Sequence, residues 1–150
     1  MKNCIFCKIV SRRAPASVIY EDKENMALMT IAPVNPGHVL LIPKKHFPSL
    51  AGIEERAGMN LFKITLRVAD AVRKSGLRCE GINLFLADDE PQQEILHLHM
   101  HVIPRFQGDS FRIPSDHSSK PSREELDKTA DKIRRAYQRL WKPNRHRVKV

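Results

Sequence analysis

The sequence predicts an α+β domain built on an antiparallel sheet. Three observations lead there. Short apolar runs bounded by turn residues come first, a long helical pattern interrupts them, and two further strands precede a last helix. That order lacks the regular strand–helix alternation of a parallel sheet. A chain of 150 residues with a hydrophobic fraction of 41% fits one domain with a real core.

The elements follow in order. "SVIYED", "MALMTI" and "GHVLLIPKK" read as short strands, and "YEDKEN" and "APVNPGH" supply the residues of the tight turns between them. In "SLAGIEERAGMNLFKITLRVADAVRKSG" the residues Met59, Phe62, Ile64, Leu66, Ala69 and Val72 approximate a helical stripe. Gly76 is the expected stop, because glycine accepts the left-handed conformation that ends many helices. "GINLFLA" and "LHLHMHVIP" are the remaining strands. Ser122, followed by Glu124 and Glu125, caps a final helix running to about Leu140. Residues 1–141 read as one domain and 142–150 as a basic tail.

The formal charge is +9, with 26 Lys and Arg against 17 Asp and Glu. From Lys120 to Val150 there are 11 basic and 4 acidic residues, a balance of +7, so the rest of the chain holds only +2. The basicity belongs to a solvated C-terminal segment, or to attraction toward an anionic partner such as nucleic acid or a polyphosphate. No 18-residue apolar run is present, so no membrane span is expected. "MKNCIFCKIV" is interrupted by charge too early for a secretory signal. A cytoplasmic protein is expected, with its three cysteines as thiols or metal ligands.

"EILHLHMHVIPR" places His97, His99 and His101 at alternate positions. On a strand these three share one face, and Leu98, Met100 and Val102 share the other, which is the core side. Two chemistries use such a row. Three imidazoles can bind a catalytic metal that keeps an open position for water. Alternatively, one neutral imidazole is a nucleophile, and its neighbours orient it and bind anionic oxygens. Spacing alone leaves both open. Gln93 upstream and Arg105 downstream add a donor and a cation, which favours a phosphate substrate.

"QEILHLHMHVIPR" resembles the signature of the histidine triad (HIT) superfamily. "NCIFCKIV", "PVNPGHVLLIPKKH" and "GINLFL" resemble further blocks of that family in the same order, so the likeness covers about residues 3–112. It implies a five-stranded antiparallel sheet with a long central helix and a C-terminal helix, usually in a homodimer. It further implies a nucleotide hydrolase or nucleotidyl transferase that cleaves AMP-X bonds, with a purine nucleotide as substrate. His99 would attack the α-phosphorus and form a nucleotidyl-histidine. The backbone oxygen of His97 would hold its other ring nitrogen. His101 would contact the phosphate, and Gln93 the phosphate or bridging oxygen. Ile5, Phe6, Ile9, Leu28 and Ile31 would line the base slot. His38 matches a family position with no chemical role assigned to it.

The resemblance also implies a structural zinc. Many bacterial members bind it through a Cys-x-x-Cys pair, the histidine that ends the "IPKKH" block and the first triad histidine. These correspond to Cys4, Cys7, His46 and His97. Such a closed Cys2His2 set leaves no open position for catalysis. Cys79 stands alone and is expected to be structural. The sequence departs from the family in two places. Thr30 stands where many members have a ribose-binding aspartate. The loop "LADDEPQQ" is one residue shorter than usual, puts Leu86 or Ala87 in place of an asparagine, and leaves Asn83 as another polar contributor. Asp88, Asp89 and Glu90 would disfavour long polyphosphates and favour an amine leaving group. Two alternatives stay open: a metal-dependent hydrolase that uses the His row as ligands, and a non-catalytic nucleotide-binding or nucleic-acid-associated module.

Overall fold

Asp22 opens the first hairpin. Its Oδ1 accepts from the backbone N–H groups of Glu24 (2.8 Å) and Asn25 (2.6 Å), a side-chain turn that reverses the chain between β1 (Val18–Glu21) and β2 (Asn25–Met29). β2 pairs antiparallel with β3 (Val39–Pro43), and β3 with β5 (Met100–Arg105). β5 in turn pairs with β4 (Gly81–Phe85), giving the antiparallel order β1-β2-β3-β5-β4. This computed structural model describes residues 4–88, 94–112 and 118–141. The expected five-stranded antiparallel α+β fold is what the chain adopts.

The chain divides into two compact units, residues 1–111 and 112–150. In the first unit the sheet is covered on both faces. On one face Met26, Leu28, Leu40 and Ile42 pack with Phe6 and Ile9 of α1 (Ile5–Val10). On the other, Ala27, Val39, Leu41, Leu98 and Val102 pack with α2 (Glu55–Lys74). Double coverage explains why β2 and β3 are apolar without alternation. The fully buried Leu41 and Ile42 each contribute about 1.5–3 kcal/mol by leaving water.

α2 corrects one expectation. Its buried positions are Leu61, Ile64, Thr65, Val68, Ala69 and Val72, spaced as one helical face. Met59, Phe62 and Leu66 of the expected stripe are exposed instead. The helix carries two apolar stripes, and the sequence pattern had merged them. Gly76 lies at φ +83, just past the helix end at Ser75, as its position predicts.

Gly37 lies at φ +88, and a Cβ there would meet Leu77 Cδ1 at 2.8 Å and Pro104 Cγ at 3.2 Å. The left-handed backbone at this turn before His38 strains any side chain, and the close neighbours add to that, so glycine suits the position. Between α2 and strands β1–β3 lies an apolar hollow of about 350 Å³, lined by Ile19, Met29, Val68 and Leu77 among others.

In the second unit, α3 (Arg123–Leu140) starts at a complete capping box. Ser122 Oγ accepts from the N–H of Glu125 (3.3 Å), and Glu125 Oε2 accepts from the N–H of Ser122 (2.8 Å).

Candidate active site

β5 holds only part of the histidine row. The strand begins at Met100, so His101 lies in the sheet while His97 and His99 lie in the extended segment that enters it. The alternation persists through that segment because Leu98 anchors it. Leu98 is fully buried in the α2-side core, and its N–H donates to Phe47 O (2.6 Å). The three imidazoles therefore share the α1 side, where the Phe6 ring packs against both His97 (5.6 Å) and His99 (5.2 Å).

Hydrogen bonds to carbonyls assign the tautomers, because a carbonyl only accepts. His99 Nδ1 lies 2.8 Å from His97 O, so Nδ1–H donates and Nε2 keeps its lone pair. His97 Nε2 lies 2.8 Å from Pro43 O, so Nε2–H donates and the lone pair is on Nδ1. That Nδ1 faces Cys4 Sγ at 3.4 Å, Cys7 Sγ at 3.7 Å and His46 Nδ1 at 3.2 Å. The four ligand atoms of Cys4, Cys7, His46 and His97 all lie within 4.8 Å of one another. Burial and the neighbouring Cys4 thiol raise the Cys7 pKa, so this thiol resists ionisation unless a cation neutralises it.

His38, to which the sequence assigned no role, completes the row. Its Nδ1 accepts from the N–H of Val34 (3.2 Å), so Nε2 carries the proton. Nε2–H donates to His101 Nδ1 at 2.9 Å, which leaves His101 Nε2–H as a donor. The rings of His99 and His101 are 4.9 Å apart, so a free acceptor nitrogen and a free donor N–H stand side by side. A buried histidine after "PG", at the start of a strand paired with the triad strand, was the signal that could have revealed His38. Phe85, whose ring edge meets His101 at 5.8 Å, is a further neighbour that sequence reasoning did not name.

Burial favours the neutral form of His38, His97, His99 and His101. Burial lowers the pKa of His38 and of His99. Burial, with the His99 and His38 rings nearby, lowers His101 to about 4. Burial also lowers His97 to about 4, with Pro43 O acting in the opposite direction.

Arg105 does not serve the site as the sequence suggested. Its Nε and Nη2 donate to Asp109 at 2.6 and 2.8 Å, Nη2 also donates to Phe111 O (3.1 Å), and the guanidinium lies over the Phe111 ring. The Arg105 hydrogen bonds hold Asp109 well below the usual carboxylate range. Asn35 Nδ2 joins the cluster through Asp109 (3.1 Å) and Pro104 O (2.8 Å), and Asn35 O accepts from the N–H of His38 (3.1 Å). The cluster ties the turn that carries His38 to the end of β5. A carboxylate four residues on captures the arginine bidentately, which leaves little of its charge for a phosphate.

A family model for the HIT domain matches residues 11–108. The chain belongs to the HIT family. HitA of Neisseria gonorrhoeae is 41% identical over 103 residues, covering 69% of this chain and 96% of that protein. A HIT family member from Bacillus subtilis superposes with TM-score 0.81 at 32% identity, over 89% of this chain and 96% of the other. A Zn-bound histidine triad protein from Mycobacterium smegmatis superposes with TM-score 0.71 at 35% identity, over 90% and 98%.

Within this HIT fold the remaining site residues are distributed as follows. Phe6, Ile9 and Leu28 are buried in the α1-side core, whereas Ile5 and Ile31 are exposed. Thr30 Oγ1 accepts from the N–H of Ala32 (3.3 Å). Asn83 pairs with Ile103, and Phe85 with His101, so Asn83 lies on the triad side of β4. Asp88 Oδ1 accepts from the N–H of Leu50 (2.5 Å), which gives this acid a structural task. Gln93, Asp89 and Glu90 lie outside the described residues.

The lowered histidine pKa makes stability depend on pH. Unfolded imidazoles bind protons near pH 6.5, whereas folded His101 does so only near 4. Between these values the unfolded chain binds more protons, so stability falls as pH drops from about 6.5 toward 4, by up to about 1.4 kcal/mol per pH unit for each such imidazole. Urea midpoints measured from pH 7 to 4.5 are expected to fall less steeply in His101→Asn than in the wild type. Equal slopes would contradict the assignment.

Proposed function

We propose that the chain is a nucleotide hydrolase or nucleotidyl transferase that cleaves AMP-X bonds through a nucleotidyl-histidine on His99. One observation carries this reading: His99 is buried and neutral, its Nδ1–H is fixed on His97 O, and its free Nε2 stands beside the donor His101. Attack by Nε2 forms a P–N bond as the bond from phosphorus to the leaving group breaks. Water then displaces the histidine and releases AMP. Splitting the displacement in two, with oriented neutral donors at the phosphate, suits a centre surrounded by anionic oxygens.

His101 Nε2–H donates to the phosphate, and His38 fixes which nitrogen carries that proton. Gln93 is assigned to the phosphate or bridging oxygen by its place in the family signature. Phe6, Ile9 and Leu28 form the floor of the base slot, with Ile5 and Ile31 free to close on a purine. Thr30 and Asn83 are the polar contacts proposed for the rest of the nucleotide. X is an amine, as in a phosphoramidate, or the remainder of a dinucleoside polyphosphate. A hydrolase with the His row as metal ligands draws little support from this geometry. The open nitrogen of His97 faces the cysteines, and Nδ1 of His101 is taken by His38.

Cys4, Cys7, His46 and His97 fit a structural zinc. With Zn–N near ~2.05 Å and Zn–S near ~2.3 Å, tetrahedral angles separate nitrogen ligands by about 3.3 Å and nitrogen from sulfur by about 3.6 Å. The observed separations are 3.2 Å for His46–His97, 3.3 Å for Cys7–His46, 3.4 Å for Cys4–His97 and 3.7 Å for Cys7–His97. His97 also has its second nitrogen held by a carbonyl, as metal-bound histidines do. The zinc would pin the N-terminal segment to the entry of the triad strand.

The reading includes a homodimer. β4 is an open edge of the sheet, and Leu84 and Phe85 on it are exposed. Met59, Phe62 and Leu66 form the second stripe of α2, at 50–67% exposure. An edge strand and an apolar helix stripe on one unit are surfaces that a second copy can cover.

Incubation with an AMP phosphoramidate and with diadenosine polyphosphates is expected to release AMP, and His99→Ala is expected to abolish both release and the covalent adduct seen by mass spectrometry. Turnover by His99→Ala would overturn the mechanism. Metal analysis is expected to find about one zinc per chain, and Cys7→Ser to lose most of it along with thermal stability. Light scattering is expected to give a dimer mass for the wild type and a monomer mass for Leu66→Glu.

A further inference from the structure

No residue of α3 is buried, yet Leu126, Ile133, Tyr137, Leu140 and Trp141 stand 43–77% exposed at its surface. The stripe has a specific spacing. Leu126, Ala130, Ile133, Tyr137 and Leu140 follow one another at intervals of 4, 3, 4 and 3 residues. A two-stranded helix seam uses that spacing, with Ala130 and Tyr137 at a positions and Leu126, Ile133 and Leu140 at d positions. A helix lying on a sheet or core shows a wider apolar face, as α2 does.

The flanks of the seam distinguish the possible partners. The e positions are Asp127, Arg134 and, just past the helix end, Trp141, and the g positions are Thr129 and Ala136. In a parallel pair g faces e of the other helix, which sets Thr129 against Arg134 and Ala136 against Trp141, with no opposite charges in contact. In an antiparallel pair e faces e and g faces g. Asp127 then meets Arg134 of a second copy, twice by symmetry, while the small Thr129 and Ala136 meet on the other side. The same alignment stacks Leu126 on Tyr137 and Ala130 on Ile133, so Ala130 leaves room for Ile133, and at each end of the seam it sets Leu140 against the aliphatic stem of Arg123, the first a position. The ion pair of Arg134 with Asp131 in its own helix is exposed and contributes little against this exchange.

We infer that α3 pairs antiparallel with α3 of a second copy of this chain, through the Leu126–Ala130–Ile133–Tyr137–Leu140 seam. Two heptads pair weakly alone. The inference therefore rests on the homodimer reading, in which a joined core holds the second helix at about millimolar effective concentration.

Full-length chains carrying Leu126→Cys and Tyr137→Cys, distinguished by tags, are to be co-expressed and treated with a mild thiol oxidant. The wild type reports any background from Cys4, Cys7 and Cys79. The expected product is a disulfide between the two tags, with little 126–126 or 137–137 product. Arg134→Asp, which sets like charges at the e positions, should cut the yield several-fold, and adding Asp127→Arg should restore it. Light scattering on the same samples separates the two readings. A dimer that cross-links 126 to 126, or not at all, overturns the helix pairing and leaves the homodimer. A monomer without cross-links overturns both.

Discussion

His97 is the residue on which the site depends, because three of its groups serve three different structures. Its Nε2–H is spent on Pro43 O of β3, its Nδ1 faces the two cysteines and His46, and its main-chain oxygen holds His99. The ring is fully buried, so none of these contacts is exchanged for water. A side chain fixed at both nitrogens also fixes its own backbone, and the carbonyl that orients His99 is therefore rigid. An unpaired buried imidazole would cost about 1–3 kcal/mol, so each commitment also satisfies a group that burial would otherwise penalise.

The fold supplies this arrangement by covering the sheet on both faces with different chemistry. α2 gives one face a dry apolar layer, and Leu98 and Val102 lock the triad strand into it from behind. α1 gives the other face Phe6, which touches His97 and His99, and the cysteines that flank Phe6 aim at His97 Nδ1. The short N-terminal helix thus packs against His99 and supplies half of the Cys/His cluster.

Much of this was legible in the sequence. The five strands, α2, the Ser122 cap and the Cys/His cluster follow from apolar patterning, capping residues and family blocks. What was hidden depended on long-range contact. Phe62 and Leu66 look like core residues because a helix with two apolar stripes has the composition of a helix with one. Arg105 looked available because its partner, Asp109, lies beyond the strand, where a pattern search has no reason to seek a counterion. His38 is silent in sequence because its role comes from β3 lying beside β5, a pairing that joins residues 63 positions apart. The strand boundary at Met100 was missed for the opposite reason, since alternation continues where ladder hydrogen bonds do not.

The fate of Arg105 clarifies how the site treats charge. β5 carries this cation on the histidine face, and Asp109 neutralises it, while burial keeps His38, His99 and His101 uncharged. For the proposed attack on phosphorus, a cationic imidazole beside His99 would make its lone pair a weaker base and a weaker nucleophile. Neutral, aimed N–H donors avoid that penalty. In the proposed reaction such donors, fixed before substrate arrives, would need no reorganisation as negative charge shifts from phosphorus-bound oxygens to the leaving group. The relay from Val34 N–H through His38 to His101 delivers such a donor without introducing a charge. The asparagine and aspartate that anchor the His38 turn to β5 then belong to the same device. They hold an uncharged donor in place, and in doing so they take the nearby positive charge away from His99.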